Sequence, residues 1–156
     1  MKIKALVLDF DGVLTDGGTW WGPDGAEWKR LSFHDIMGIS IAIKSGLLVA
    51  VISGESGELL ERFAAKMHLT EMVQGCKDKD GALRSFAARN GLDVEEICYM
   101  GDDVNDLPAM RVAGFSAAPA DARPDVRAVV NVVTTANGGN GAVRELVDAI
   151  LLGDHA

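Results

Sequence analysis

Three short apolar runs in this chain each stop abruptly on polar residues. Ala5–Leu8 stops at Asp9, residues 47–52 stop at Ser53-Gly54, and Ile97–Met100 stops at Gly101-Asp102-Asp103. Each run has the length of a strand and is apolar throughout, as a strand covered on both faces must be. The stretches between them are long enough for helices. Parallel strands need such crossovers, and the crossovers cover both faces of the sheet. This alternation predicts an α/β fold: a three-layer, doubly wound, mostly parallel sheet.

The remaining elements follow from turn and cap residues. Residues 19–21 and 27–32 flank Gly22-Pro23-Asp24-Gly25, a strong turn signal, and predict a β-hairpin. Helices are expected over 35–45 with Asp35 as cap, and over 55–67 opened by Ser53-Gly54. Further helices are expected from Asp78 or Asp80 to Asn90-Gly91, over 105–112, and over 141–152. Short strands are expected at 72–74, Phe115–Ala118 and 129–133. The glycine-rich residues 134–141 read as an exposed loop. The whole chain, 1–156, reads as one domain, with a hairpin flap at about 15–34 and a C-terminal loop and helix at about 134–152.

The 156 residues carry 15 Lys and Arg against 23 Asp and Glu, a net charge of −8. That balance argues against nucleic acid or an anionic membrane as the main partner. An anionic substrate stays possible, since a metal ion and a few lysines reverse the field locally. Cys76 and Cys98 stand without a Cys-x-x-Cys pair, so neither zinc nor a disulfide framework is expected. Residues 1–4 run straight into a strand, no run approaches a membrane span, and a cytoplasmic protein is expected.

In open α/β sheets, ligands bind at the carboxyl ends of the strands. Asp9 and Asp11, Ser53-Gly54, and Asp102-Asp103 all fall there, and Lys79 follows the short strand near Gln74. Carboxylates this dense repel unless a cation lies among them. Oxygen-only donors suit Mg²⁺. Ser53-Gly54 at a helix start would cradle a phosphate. Each feature also has a plain alternative: Asp-Gly as a turn, Ser53 as a simple cap, and Lys79 as a solvated lysine with Lys77 as rival.

Taken together, Asp9-Phe-Asp-Gly-Val-Leu-Thr-Asp16, Ile52-Ser53-Gly54, Lys79 and Gly101-Asp-Asp-Val-Asn-Asp106 resemble the motifs of the haloacid dehalogenase-like phosphatase superfamily. The resemblance implies Asp9 as nucleophile, forming an aspartyl-phosphate, and Asp11 as acid and then base. It implies Mg²⁺ on the Asp9 carboxylate, the Asp11 backbone carbonyl and Asp102, with Asp103 and Asp106 supporting the metal shell. Ser53, the Gly54 amide and Lys79 would hold the phosphoryl oxygens. Larger members insert a cap domain after the first or second motif; the short spacings here leave room for none.

The capless pattern, the segment Phe33-His-Asp-Ile-Met-Gly-Ile39, Gln74-Gly75 and Gly138-Gly-Asn-Gly141 look like the 3-deoxy-D-manno-octulosonate (KDO) 8-phosphate phosphatases. They look equally like the nonulosonate 9-phosphate phosphatases and the phosphatase-like domain attached to some acylneuraminate cytidylyltransferases. That group implies hydrolysis of the terminal phosphate of a 2-keto-3-deoxy sugar acid. The alternative is a non-catalytic tetramerisation module. It also implies a homotetramer built through the hairpin, where Trp20, Trp21 and Trp28 would serve either an interface or their own domain's packing. Asp35, Glu55 and Lys66 are the expected substrate-side residues. Glu55, where the octulosonate branch usually has Arg, inclines the resemblance toward the nine-carbon acids.

Overall fold

A computed structural model describes residues 2–153. Six strands form one sheet in the order β5-β4-β1-β6-β7-β8: β1 Ala5–Leu8, β4 Leu48–Ile52, β5 Met72–Val73, β6 Ile97–Met100, β7 Phe115–Ala118 and β8 Val132–Val133. Every ladder in it is parallel. β1 lies between β4 and β6, with Leu8 opposite both Val51 and Met100. That register places Asp9, Ser53 and Asp102 on one edge of the sheet.

The two faces follow the period of two along each strand. Leu6, Leu8, Val49, Val51, Cys98 and Met100 point to one core. There they meet α1 (Phe33–Lys44), α2 (Glu58–Met67) and α6 (Ala142–Leu152). Ala5, Val7, Ala50, Ile52, Ile97 and Tyr99 point to the other. There they meet α3 (Lys79–Arg89), α4 (Leu107–Val112) and the short α5 (Pro124–Arg127). The layers are those expected from the apolar runs, and no cap is present among the described residues.

The hairpin is shorter than expected. β2 (Trp20–Trp21) and β3 (Glu27–Trp28) pair over two residues each, closed by Gly22-Pro-Asp-Gly25 with Gly25 at φ +85°. A Thr15↔Leu31 bridge closes its base.

Several helix ends also differ. α1 is capped by Ser32, whose hydroxyl accepts from His34 N–H; Asp35 sits in the first turn instead. α2 begins at Glu58, because Gly57 at φ +140° breaks the chain and leaves residues 53–57 as a loop. A 3₁₀ turn at Val104–Asp106 precedes α4, and α5 was not foreseen. Residues 134–141 are not simply an exposed loop. Gly138 and Gly139 are buried against residues 12–16, where side chains on either glycine would strike backbone.

Candidate active site

The carboxyl ends of β1, β4 and β6 open into a cleft of about 260 Å³ lined by Asp9, Asp11, Ser53, Gly54, Asp102 and Asn105, among others. Glu55 and Lys77 stand at it too. Asp9 is buried, and its Oδ1 accepts from the Phe10 amide (2.7 Å) and from Lys79 Nζ (3.1 Å). The Asp102 carboxyl is hydrogen-bonded to Asp9 as well.

The two rival lysines differ in place: Lys77 lines the cleft, and Lys79 is buried against Asp9. Asp78 caps α3 through the Gly81 amide, so Lys79 is the first helical residue and turns inward. Its side chain is 1% exposed and its ammonium bridges Asp9 and Asp106. Burial alone would lower its pKa, but Asp9 and Asp106 outweigh burial and raise it.

Asp106 acts from beneath. Its Oδ1 accepts from Lys79 Nζ (2.8 Å) and the Tyr99 hydroxyl (2.6 Å), and its Oδ2 from the Asp102 and Asp103 amides. These bonds shape the turn that presents Asp102. Asp103 is exposed at the cleft and caps the 3₁₀ turn, its Oδ1 accepting from the Val104 amide.

Carboxyl oxygens of Asp9, Asp102 and Asp106 come within 4.8 Å of one another. Asp106 has its lone pairs committed to four donors, so Asp9 and Asp102 are the side chains open to an ion. Burial, then Asp106, push Asp102 up to about 7. Burial and Asp106 likewise raise Asp9 well above the usual carboxylate range. Crowded oxygens with raised proton affinity are the environment a hard divalent cation relieves, so this donor set fits Mg²⁺.

The Asp11 side chain turns away from that cluster. Its Oδ1 pairs with Lys29 Nζ at 2.7 Å, and its Oδ2 is buried without a partner among the described residues. Only its backbone carbonyl would therefore serve a metal. The amides of Asp11 and Gly54 donate to no acceptor among the described residues, and the Ser53 hydroxyl accepts from the Glu55 amide (3.1 Å). The helix-start cradle expected at Ser53 is thus a loop cradle, because α2 starts five residues later.

Two expected substrate residues lie outside this cleft. Asp35 is 1% exposed, and its carboxylate accepts from the Gly141 and Arg144 amides at the start of α6. An acid there satisfies helix-end donors. Lys66 is exposed in the last turn of α2, with its ammonium 5.9 Å from the centre of the Phe33 ring. It borders a separate apolar hollow with Leu31, Leu59 and Phe63.

Sequence reasoning missed Lys29, Arg30, Tyr99 and Thr15. Thr15 Oγ1 accepts from the Gly12 and Gly17 amides and so shapes the first-motif loop. Arg30 donates to Gly139 O and Asn140 Oδ1. Tyr99, inside an apolar strand, carried one signal: its hydroxyl needs a buried partner.

Comparison with known proteins agrees with this geometry. Residues 48–146 match the family of haloacid dehalogenase-like hydrolases. The 3-deoxy-D-manno-octulosonate 8-phosphate phosphatase KdsC of Yersinia pestis is 40% identical over 151 residues, 97% of this chain and 81% of that protein. Its Escherichia coli K12 counterpart is 39% identical over 151 residues, covering 97% and 80%. The crystal structure of the Yersinia pestis enzyme superposes with a TM-score of 0.94 at 40% identity, covering 96% of this chain and 81% of that one. The Moraxella catarrhalis phosphatase, solved with magnesium, phosphate and KDO, gives 0.93 at 36% identity, covering 96% and 86%. Likeness of this extent, in sequence and in backbone, settles the kinship that the first and last motifs suggested: the chain belongs to the haloacid dehalogenase-like hydrolases, as a phosphatase without a cap domain.

Proposed function

We propose that this phosphatase hydrolyses the terminal phosphate monoester of a 2-keto-3-deoxy sugar acid, with 3-deoxy-D-manno-octulosonate 8-phosphate as first candidate. The observation that carries the chemistry is the state of Asp9. Its Oδ1 is pinned by Lys79 and Phe10 N–H, and the residue lines the cleft beside Asp102.

A phosphoryl group in the cleft would meet Lys79, Ser53 Oγ and the unpartnered Asp11 and Gly54 amides, which neutralise and orient it. An Asp9 oxygen attacks phosphorus as the ester P–O bond breaks, and the Asp11 carboxyl gives its proton to the departing alkoxide. Asp11, now a carboxylate, takes a proton from water as that water attacks phosphorus. The P–O bond to Asp9 breaks, and phosphate leaves with the Asp9 carboxylate restored. Mg²⁺ held by the Asp9 and Asp102 carboxylates and the Asp11 carbonyl would supply charge neutralisation at the phosphoryl oxygens.

The curated relatives named above act on the eight-carbon substrate, which supports that choice over the nine-carbon acids. Glu55 at the cleft is the feature that keeps nonulosonate 9-phosphates in the comparison. A homotetramer is part of the same reading. Trp20, Trp21 and Trp28 are 76%, 79% and 57% exposed, so most of their surface is left open. Large exposed aromatics of this kind suit a subunit interface. The free thiols of Cys76 and Cys98 accord with a cytoplasmic setting.

Steady-state phosphate release with Mg²⁺ tests the reading. Octulosonate 8-phosphate is expected to give the highest kcat/KM, ahead of nonulosonate 9-phosphates and well ahead of hexose phosphates, and Asp9→Asn is expected to be inactive. Equal turnover of hexose phosphates would overturn the substrate class. An active Asp9→Asn would overturn the nucleophile.

A further inference from the structure

We propose that Lys29, carried by the hairpin, is the positioning residue for Asp11, so that the flap itself sets where the acid/base carboxyl stands. The inference rests on the role given to Asp11 above. Lys29 lies just past β3, eighteen positions from Asp11 in sequence, yet its ammonium is 2.7 Å from Asp11 Oδ1. The Lys29 side chain is 9% exposed, which is not the state of an ordinary solvated surface lysine. Its ammonium also stands 6.0 Å from the centre of the Phe10 ring, over the residue between Asp9 and Asp11.

The clamp is itself held. Glu27 Oε1 lies 3.2 Å from Lys29 Nζ and accepts from Thr19 Oγ1, also at 3.2 Å. Thr19 immediately precedes β2 and Glu27 lies on β3, so Thr19, Glu27, Lys29 and Asp11 form one chain of contacts across the hairpin. The next residue, Arg30, ties the hairpin base to Gly139 and Asn140.

The two Asp11 oxygens are thereby made unequal. Lys29 fixes Oδ1, and Oδ2 is buried with no partner among the described residues. A buried carboxylate oxygen without a partner is costly, and such an atom is normally satisfied by a ligand or water. Oδ2 is the oxygen left to exchange a proton with the leaving alcohol and then with water. Losing the clamp frees the side chain to rotate, and a displacement near 1 Å at a reacting group can cost on the order of 100-fold.

The test uses the full chain with Mg²⁺, Lys29→Met and Lys29→Arg, and two substrates. With p-nitrophenyl phosphate the leaving phenolate needs no proton, so the first step survives while the second, which needs Asp11 as base, slows. Lys29→Met is expected to release about one nitrophenolate per site in a burst, then to turn over roughly 100-fold slower than the unsubstituted protein. On octulosonate 8-phosphate it is expected to show no burst, a kcat loss at least as large, and a KM changed far less. Lys29→Arg, which keeps the charge, is expected to recover most of the rate.

An unchanged kcat in Lys29→Met overturns the proposal. So does an equal, burst-free loss on both substrates together with a lowered melting temperature, since that is damage to the fold. Inactivity of the unsubstituted protein on both substrates is a different failure: it removes the phosphatase reading of Asp9 and Asp11 beneath the proposal.

Discussion

Gly12 and Asp102 pass each other with no room for a side chain on the glycine: a Cβ there would overlap the Asp102 carboxylate. Gly12 also holds φ at +83°, a conformation that costs other residues about 1–2 kcal/mol. The Asp-x-Asp-Gly sequence is therefore more than a turn. Its glycine lets the first-motif loop lie against the third acidic residue of the site. Gly12→Ala is expected to displace Asp102 and to lower kcat by roughly 100-fold, with a lower melting temperature. Phosphate release and thermal unfolding measure both, and wild-type turnover in this variant would show that Asp102 need not stand where it does.

Asp106 is the residue on which the site's geometry converges. It is fully buried and accepts from Lys79, Tyr99 and the amides of Asp102 and Asp103. Truncation leaves a buried ammonium with half its partners and a buried hydroxyl with none. Asp106→Ala is therefore expected to lose about 3–5 kcal/mol of stability. Asp106→Asn is expected to lose less, because the amide oxygen still accepts. Urea unfolding at neutral pH compares them; equal stability of all three proteins would refute the role.

What could be read from the sequence divides along a physical line. The ends of β1, β4 and β6 were legible because an apolar strand stopping on Asp or Ser is a local event. Asp9, Ser53, Gly54 and Asp102 accordingly line one cleft, with Lys79 buried against Asp9. The start of α2 was not, since Ser53-Gly54-Glu55-Ser56 serves equally as a cap or a loop, and Gly57 decided it through its φ. Asp35 is a substrate-side residue only by the family resemblance, and nothing local in the sequence tells that it is buried. Its partners, Gly141 and Arg144, are more than a hundred positions away. Lys29 was missed for the same reason: only the folding of the hairpin over β1 brings it to Asp11.

The C-terminal loop carries an acid-sensitive contact away from the cleft. Glu145 in the first turn of α6 accepts from the Thr135 amide, the Thr135 hydroxyl and the Ala136 amide. Partial burial would raise its pKa, but these bonds prevail and hold it below the usual glutamate value of 4.5. A carboxyl whose pKa is lower folded than unfolded binds its proton more tightly in the unfolded chain. Its contribution is present above about pH 4.5 and is lost as pH falls through the folded value. Glu145→Gln is expected to be less stable than the unsubstituted protein near pH 6, with the gap closing toward pH 3. Thermal unfolding across that range checks it, and a gap that stays constant with pH would assign the loss to something other than charge.

Metal dependence separates side-chain from backbone ligands. Asp9 and Asp102 offer open carboxyl oxygens, whereas the Asp11 side chain is engaged by Lys29 and would contribute only its carbonyl. At a Mg²⁺ concentration 100-fold above its dissociation constant, binding to the folded state adds about 2.7 kcal/mol. For a chain of this size that is a rise of roughly 5–10 °C in Tm. The unsubstituted protein is expected to show such a rise, reversed by a chelator. Asp102→Asn is expected to show little or none. Asp11→Asn is expected to keep it while losing phosphatase activity, because its carbonyl remains. A Mg²⁺ response lost in Asp11→Asn but kept in Asp102→Asn would reverse the ligand assignment and place the ion nearer the hairpin than the end of β6.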